Sequence, residues 1–354
     1  MKKALLPPRA ALNATVAVAA LALLVWRGQA VATGVRQGLV ALGQTLIPAL
    51  FPFLILSEWL WQSGAGKLLT RPFCGIFARL TGLSRSATAA LLLGFICGTP
   101  VGCLLAAALW KKGEIGKSDR DRLMLFSNNP GLGFMAGAAG GVCGDRRLGI
   151  VLWCLATAAA LMVCILSRFW FGKTQENVNI PADGIENDAF DLPAAVVAAT
   201  RSMVKIAGFY LTACALLGGI DELLGKLPPL AGVGIKGLLE LSAGVLAAGT
   251  FPHRAAFLCC AFFAGFAGLT IALQLHSLAG EAAPPLPLYL TARLFVGALT
   301  WILARLYLSL FPLPAAALPA FAPSHAITLP LFLPFLLLLL FYPAARVFRR
   351  IRQK

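Results

Sequence analysis

The sequence predicts an all-α polytopic membrane protein, an inverted repeat in which each half reads span, re-entrant hairpin, broken span, span, with about eight crossings in all. Three observations predict it. Of 354 residues 59% are apolar and only 12% charged, about half the charge that a soluble domain of this size carries on its surface. Several apolar runs approach the ~20 residues that cross a bilayer as helix, and mean hydropathy is +0.83. Finally, short apolar segments broken by glycine, proline or a lone carboxylate stand at corresponding places in the two halves, a pattern that points to a transporter built from internal repeats.

These features exclude a soluble enzyme, a fibre and a disordered chain, since disorder needs low hydrophobicity. The net charge of +16 does not argue for nucleic acid, because the Lys and Arg fall in short clusters between apolar segments, as the positive-inside rule expects. The nine cysteines form no C-x-x-C pair and read as small packing residues. The three histidines are scattered without metal-ligand spacing, and no nucleophile elbow, P-loop or zincin helix is present. The expectation is therefore no enzyme, no cofactor and no metal.

Taken in order, residues 1–30 hold Lys2, Lys3 and Arg9 ahead of a first transmembrane helix over about 10–25. Ala30-Val31-Ala32 could mimic a signal-peptidase site, but a retained helix fits a multi-spanning chain better. Residues 31–172 form the first repeat. It begins with a span over 37–61 and a basic loop with Lys67, Arg71, Arg79 and Arg85. The segment 87–110 follows, broken at Gly98-Thr99-Pro100, then a second basic loop with Lys111, Lys112, Lys117, Arg120 and Arg122. A broken segment over 123–143 and a span over 148–171 complete it.

Residues 173–195 are the one long polar stretch, with Glu176, Asp183, Glu186, Asp188 and Asp191, and read as a linker between halves. Residues 196–312 repeat the order: a span over 196–220, a short segment over 232–250, a broken span over 255–278 and a span over 286–311. Residues 313–354 add a last helix over about 327–342 and a basic tail. With both short segments as re-entrant hairpins, both termini lie in the cytoplasm and the hairpins enter from opposite faces.

Non-helical backbone at membrane depth must be buried in protein or line a wet cavity. Four breaks meet that description. Gly98-Thr99-Pro100 combines a permissive glycine with a residue that lacks an N–H. Ser127-Asn128-Asn129-Pro130-Gly131 offers side-chain donors and acceptors; the alternative is a plain loop between helices. Glu240, in LLELSAG with Ser242 beside it, is an intramembrane carboxylate and so a candidate for an ion, proton or substrate path; the alternative is an interfacial carboxylate paired with Lys236. Gly265, Gly268 and Thr270, with Gln274 one turn on, form the fourth; small-residue packing alone is the alternative there. Arg201, Lys205, Arg293 and Arg305 lie in or near spans and can snorkel, but Arg293 is also a candidate partner for an anion. The candidate substrate-binding set is thus Gly98, Thr99, Pro100, Ser127, Asn128, Asn129, Glu240, Ser242, Gly268, Thr270, Gln274 and Arg293.

LLLGFICGTPVG, LMLFSNNPGLGF, GLLELSAG and FFAGFAGLTIALQ, in that order over roughly residues 35–311, resemble the successive motifs of the YlbJ/SpoVV family of sporulation integral membrane proteins. That family shares the Gate or nucleoside-recognition domain with concentrative nucleoside transporters. This chain has Thr99 where the family commonly carries tyrosine, and Thr270 where it favours serine. The resemblance implies a sporulation role and transport of a small anionic aromatic solute, dipicolinic acid, across the outer forespore membrane. It leaves a nucleoside transporter and a non-transporting membrane assembly or signalling protein as alternatives. The expected partners are the substrate and the lipid bilayer, with no nucleic acid; a homo-oligomer and a coupling proton or cation stay open.

Overall fold

In the computed structural model, which describes residues 8–62, 65–171 and 191–312, every regular element is helical. An apolar chain in lipid must satisfy its backbone N–H and C=O groups internally, and helices do so within one segment. The first half contains α1 (Pro8–Trp26), then α2 (Gly28–Ala41), which runs through a π-helical turn (Leu42–Leu46) into α3 (Ile47–Gln62). Next come α4 (Ala65–Thr81), α5 (Arg85–Cys97), α6 (Val101–Lys111) and α7 (Lys117–Phe126). A second helical stretch, α8 (Leu132–Phe134), a π turn (Met135–Ala139) and α9 (Gly140–Val142), precedes α10 (Arg146–Ser167). The second half contains α11 (Leu192–Gly225), α12 (Pro229–Leu239), α13 (Leu241–Ala248), α14 (His253–Phe266), α15 (Leu269–Ala279) and α16 (Leu286–Leu310).

Four helical stretches are long and apolar enough to cross a bilayer: Arg146–Ser167, Leu192–Gly225, His253–Ala282 and Leu286–Leu310. Two bent pairs, one turning by 97° at Arg27 and one by 106° between α4 and α5, raise the number to six if each is one span. The chain is thus an all-α polytopic integral membrane protein, with four to six spans among the described residues, which do not include the last of the eight expected crossings. The stretch His253–Ala282 is the central one, its apolar window 78% buried against 33–39% for the other three. The expected last helix over 327–342, the acidic run over 173–190 and both chain ends lie outside the described residues.

Both short segments fold back on themselves, and glycines permit it. A Cβ on Gly94 of α5 would lie 3.0 Å from Gly102 Cα of α6, and one on Gly244 of α13 would lie 2.7 Å from Gly237 N of α12. A residue of the following broken segment seats against each hairpin: Ser127 Cβ 2.6 Å from a Cβ on Gly102, and Phe263 Cδ2 3.1 Å from one on Gly244. The two halves therefore repeat one local arrangement. The remaining close crossings also use small residues. On α2 and α11, a Cβ on Gly34 would come within 2.9 Å of Gly218 Cα; on α14 and α16, one on Gly265 would come within 2.6 Å of Gly297 Cα.

Several boundaries and loops differ from the sequence expectation. Residues 192–195 belong to α11, whose first turn is capped by Asp191 Oδ1 accepting from Ala194 N–H at 3.0 Å. The first basic loop contains the whole of α4. The second ends in α7, where Asp119, Arg120, Asp121 and Arg122 are all buried. Arg122, 1% exposed, donates to Thr81 O at 2.5 Å, Cys164 O at 2.7 Å and Ser167 Oγ at 2.9 Å, so it ties the carbonyl ends of α4 and α10 together. Arg120 pairs with Asp121 at 2.5 Å and stacks 4.5 Å over Trp110. Alternating charges on one helix read as solvated loop in one dimension; here their partners arrive from α4, α6 and α10.

Candidate functional site

The tip of the first hairpin is a turn in which Gly98 takes φ +80°, and a Cβ there would strike Gly131 Cα at 2.6 Å. Only glycine combines that dihedral with that approach. Thr99 then docks on the broken segment: its N–H and its hydroxyl both donate to Asn129 O, at 2.8 and 2.9 Å. Pro100 is buried and caps α6. Asn128, fully buried, accepts from Cys103 N–H at 3.0 Å and donates to Met124 O at 2.8 Å, while Ser127 donates to Leu123 O at 2.6 Å. The run 127–131 is thus non-helical backbone between α7 and α8, buried from Ser127 to Pro130, with Asn129 O taken by the hairpin.

The second half holds a matching contact with the roles exchanged. The hydroxyl of Thr270, on the broken span, donates to Leu239 O on the hairpin at 2.7 Å. Gly268 sits at φ +89°, with Leu241 N 3.1 Å from where a Cβ would stand. Glu240, 4% exposed, is the last residue of one hairpin leg and the cap of the other: its Oε2 accepts from Ala243 N–H at 2.6 Å. A carboxylate at a helix N-terminus is held both by that bond and by the helix dipole. Ser242, also buried, hydrogen-bonds to the same carboxylate. The alternative partner Lys236 is engaged elsewhere, with Asp221 Oδ1 at 2.7 Å.

Arg293 joins the halves. It lies on α16, is 0% exposed, and donates from Nη1 to Asn129 Oδ1 at 3.0 Å and from Nη2 to Ala264 O at 3.3 Å. Arg201, Lys205 and Arg305 are exposed, as snorkelling side chains are, so Arg293 alone of the four turns inward. Among the described residues no carboxylate pairs with it, and three buried atoms around it have no hydrogen-bond partner: Asn129 Nδ2, Arg293 Nε and the Tyr289 hydroxyl. All three can donate, and a guanidinium donates only. Tyr289 was absent from the sequence-derived set, although its place one helical turn before Arg293 puts it on the same face.

The contacts therefore run from Thr99 through Asn129 to Arg293 and Ala264, three residues short of the break at Ala267-Gly268 against which Glu240 and Leu241 pack. Gln274 stands apart, its closest partner Ile206 O on α11 at 3.5 Å, and Gly265 serves the packing of α14 on α16. A cleft of about 560 Å³ opens separately between α2, α11 and the second hairpin, and none of the twelve sequence-derived residues lines it. No group of three or more metal-ligating side chains occurs among the described residues.

Over 185 residues the chain is 29% identical to the sporulation integral membrane protein YlbJ of Bacillus subtilis (strain 168). The match takes in 50% of this chain and 45% of that protein, so the chain spans about half the length of the curated relative it matches. No family model matches the chain. No solved structure matches it either.

Proposed function

We propose that this chain, similar over half its length to a sporulation integral membrane protein of the YlbJ family, is a secondary transporter, not an enzyme, and that it carries a small planar aromatic dianion, dipicolinic acid, during sporulation. The observation that carries this reading is Arg293. A buried charge without a counter-charge is destabilising by several kcal/mol, and it persists where an anion compensates it. Here the guanidinium Nε, the Asn129 amide and the Tyr289 hydroxyl offer unpartnered donors around that charge. Donors without acceptors suit carboxylates, whose oxygens only accept.

In this reading the two hairpin tips, Gly98–Pro100 and Leu239–Leu241, close on the anion from the two halves. Movement of one half against the other then exposes the anion to each side in turn. The bonds Thr99–Asn129 and Thr270–Leu239 tie each tip to its own broken segment, so hairpin and break move as one body. Glu240 lies on the same hairpin as a carboxylate able to take up a positive charge and offset that of the substrate.

The test is uptake by the purified full chain in reconstituted vesicles, with radiolabelled dipicolinate and, in parallel, a nucleoside. Saturable dipicolinate uptake, abolished in Arg293→Gln at equal reconstitution, is the expected result. Nucleoside uptake without dipicolinate uptake would overturn the substrate, and uptake of neither would favour a non-transporting assembly factor.

A further inference from the structure

The cleft between α2, α11 and the second hairpin belongs to none of the contacts assigned above. We propose that it is the aqueous route by which a proton reaches Glu240, making the proton the coupling ion; this rests on the transport reading.

Four observations carry it. The first is size and lining. At about 560 Å³ the cleft has room for on the order of ten waters, and its wall includes Thr33, Gln37, Tyr210 and Lys236, polar groups able to hold them. The second is the mouth. Arg27 and Lys226 both pair with Glu222, and Lys236 pairs with Asp221; each carboxylate at the mouth is already held by a cation, so a metal cation meets no free carboxylate there.

The third observation is reach. Lys236 and Ala243, which stand four residues before and three residues after Glu240, both line the cleft. Ala243 is the residue whose N–H binds the Glu240 carboxylate at 2.6 Å. On the facing helix α11, Tyr210 and Cys214, one turn apart, line the cleft and lie near Glu240. Residues on both sides of Glu240 in sequence, Lys236 and Ala243, thus belong to the cleft wall.

The fourth is the chemistry at the end of the path. The carboxylate is surrounded by donors, the Ala243 N–H and the Ser242 N–H and hydroxyl. Donors present the wrong polarity to a metal cation, which needs several oxygen ligands, whereas a proton needs only the carboxylate. Around Glu240, α11 contributes Tyr210 and Cys214; α12 contributes Lys236, turned to Asp221; α14 and α15 contribute Phe263 and Thr270, which do not titrate. The segment Met135–Val142 carries no titratable residue, and α14 carries His253, Arg254, Cys259 and Cys260. Glu240 is accordingly the one acidic group at the end of this route.

The experiment uses the full chain with Cys214 as its sole cysteine, reconstituted without substrate, and follows the carboxylic-acid band by infrared difference spectroscopy after a pH jump. The expected result has three parts. A water-soluble, membrane-impermeant thiol reagent labels Cys214. The band is lost in Glu240→Gln and also in Glu240→Ser, which keeps a capping oxygen for α13. Labelling Cys214 slows the rise of the band at least tenfold. A band unchanged in both variants would overturn the assignment of Glu240. Labelling by lipid-soluble reagents alone, or a rate unaffected by the label, would overturn the route. Because no step uses dipicolinate, proton uptake without transport would refute the transport reading separately.

Discussion

Arg293 Nη1 donates to Asn129 Oδ1 at 3.0 Å, a bond between residues 164 positions apart, one from each half of the chain. Both side chains are fully buried, and each keeps a donor without a partner. The bond therefore links the two halves at the centre of the proposed anion site.

Dipicolinate binding should depend on this pair and on Tyr289. Arg293→Gln removes a charged donor and should weaken binding about 10- to 150-fold, the range for a hydrogen bond to a charged group. Tyr289→Phe and Asn129→Ala each remove a donor to the same charged carboxylates and should weaken it by about 10-fold, the lower end of that range. Arg305→Gln, on the exposed face of the same helix, serves as the control. Calorimetric titration of each variant in detergent decides it; equal affinities for Arg293→Gln and the native chain would place the anion elsewhere.

The hairpin glycines should be intolerant of a methyl group. Gly98→Ala and Gly102→Ala would press on Gly131 and Ser127, and should destabilise the protein by about 1–3 kcal/mol, the usual range for overpacking. Gly43→Ala and Gly137→Ala meet no atom within 4 Å and should leave the melting temperature unchanged or slightly raised. Thermal unfolding of the four variants side by side makes the comparison.

If the repeat is inverted, the open ends of the hairpins face opposite sides of the membrane. On a cysteine-less background, Arg85→Cys and Lys112→Cys should label from one face, and Leu227→Cys and Thr250→Cys from the other. Labelling of Arg85→Cys and Lys112→Cys from different faces would make α5 and α6 a true crossing.

Arg122 should matter for folding and not for binding. Arg122→Met leaves Thr81 O without its side-chain donor and leaves Cys164 O with the Ser167 hydroxyl, at about 1–3 kcal/mol for the buried carbonyl left unpaired. Lower yield and melting temperature are expected, with dipicolinate affinity unchanged in the fraction that folds. Loss of affinity with full stability would move Arg122 into the site.

Much of the architecture was legible because lipid reduces the choices. An apolar chain with 12% charge must form spanning helices, and breaks in those helices must be buried, so Gly98-Thr99-Pro100, the run 127–131, Glu240 and Gly268 announced themselves without any structure.

The partners could not be read. Arg201, Lys205, Arg293 and Arg305 look alike in sequence, each a cation in or near an apolar run, yet only Arg293 turns inward. Lys236 stands one turn before Glu240, the spacing of a helical ion pair, but the helix ends between them and Lys236 finds Asp221 instead. Arg122 reads as part of a basic loop until α4 and α10 supply carbonyls some 40 positions away in both directions. By itself the sequence determined that the chain is helical and where its apolar segments must break, because both follow from local geometry and the absence of water, while α4 and α7 lay in stretches that read as basic loops. Only the tertiary structure decided which buried charge is paired and which is left with open donors, because that depends on side chains brought together from distant parts of the chain, for which no local periodicity exists.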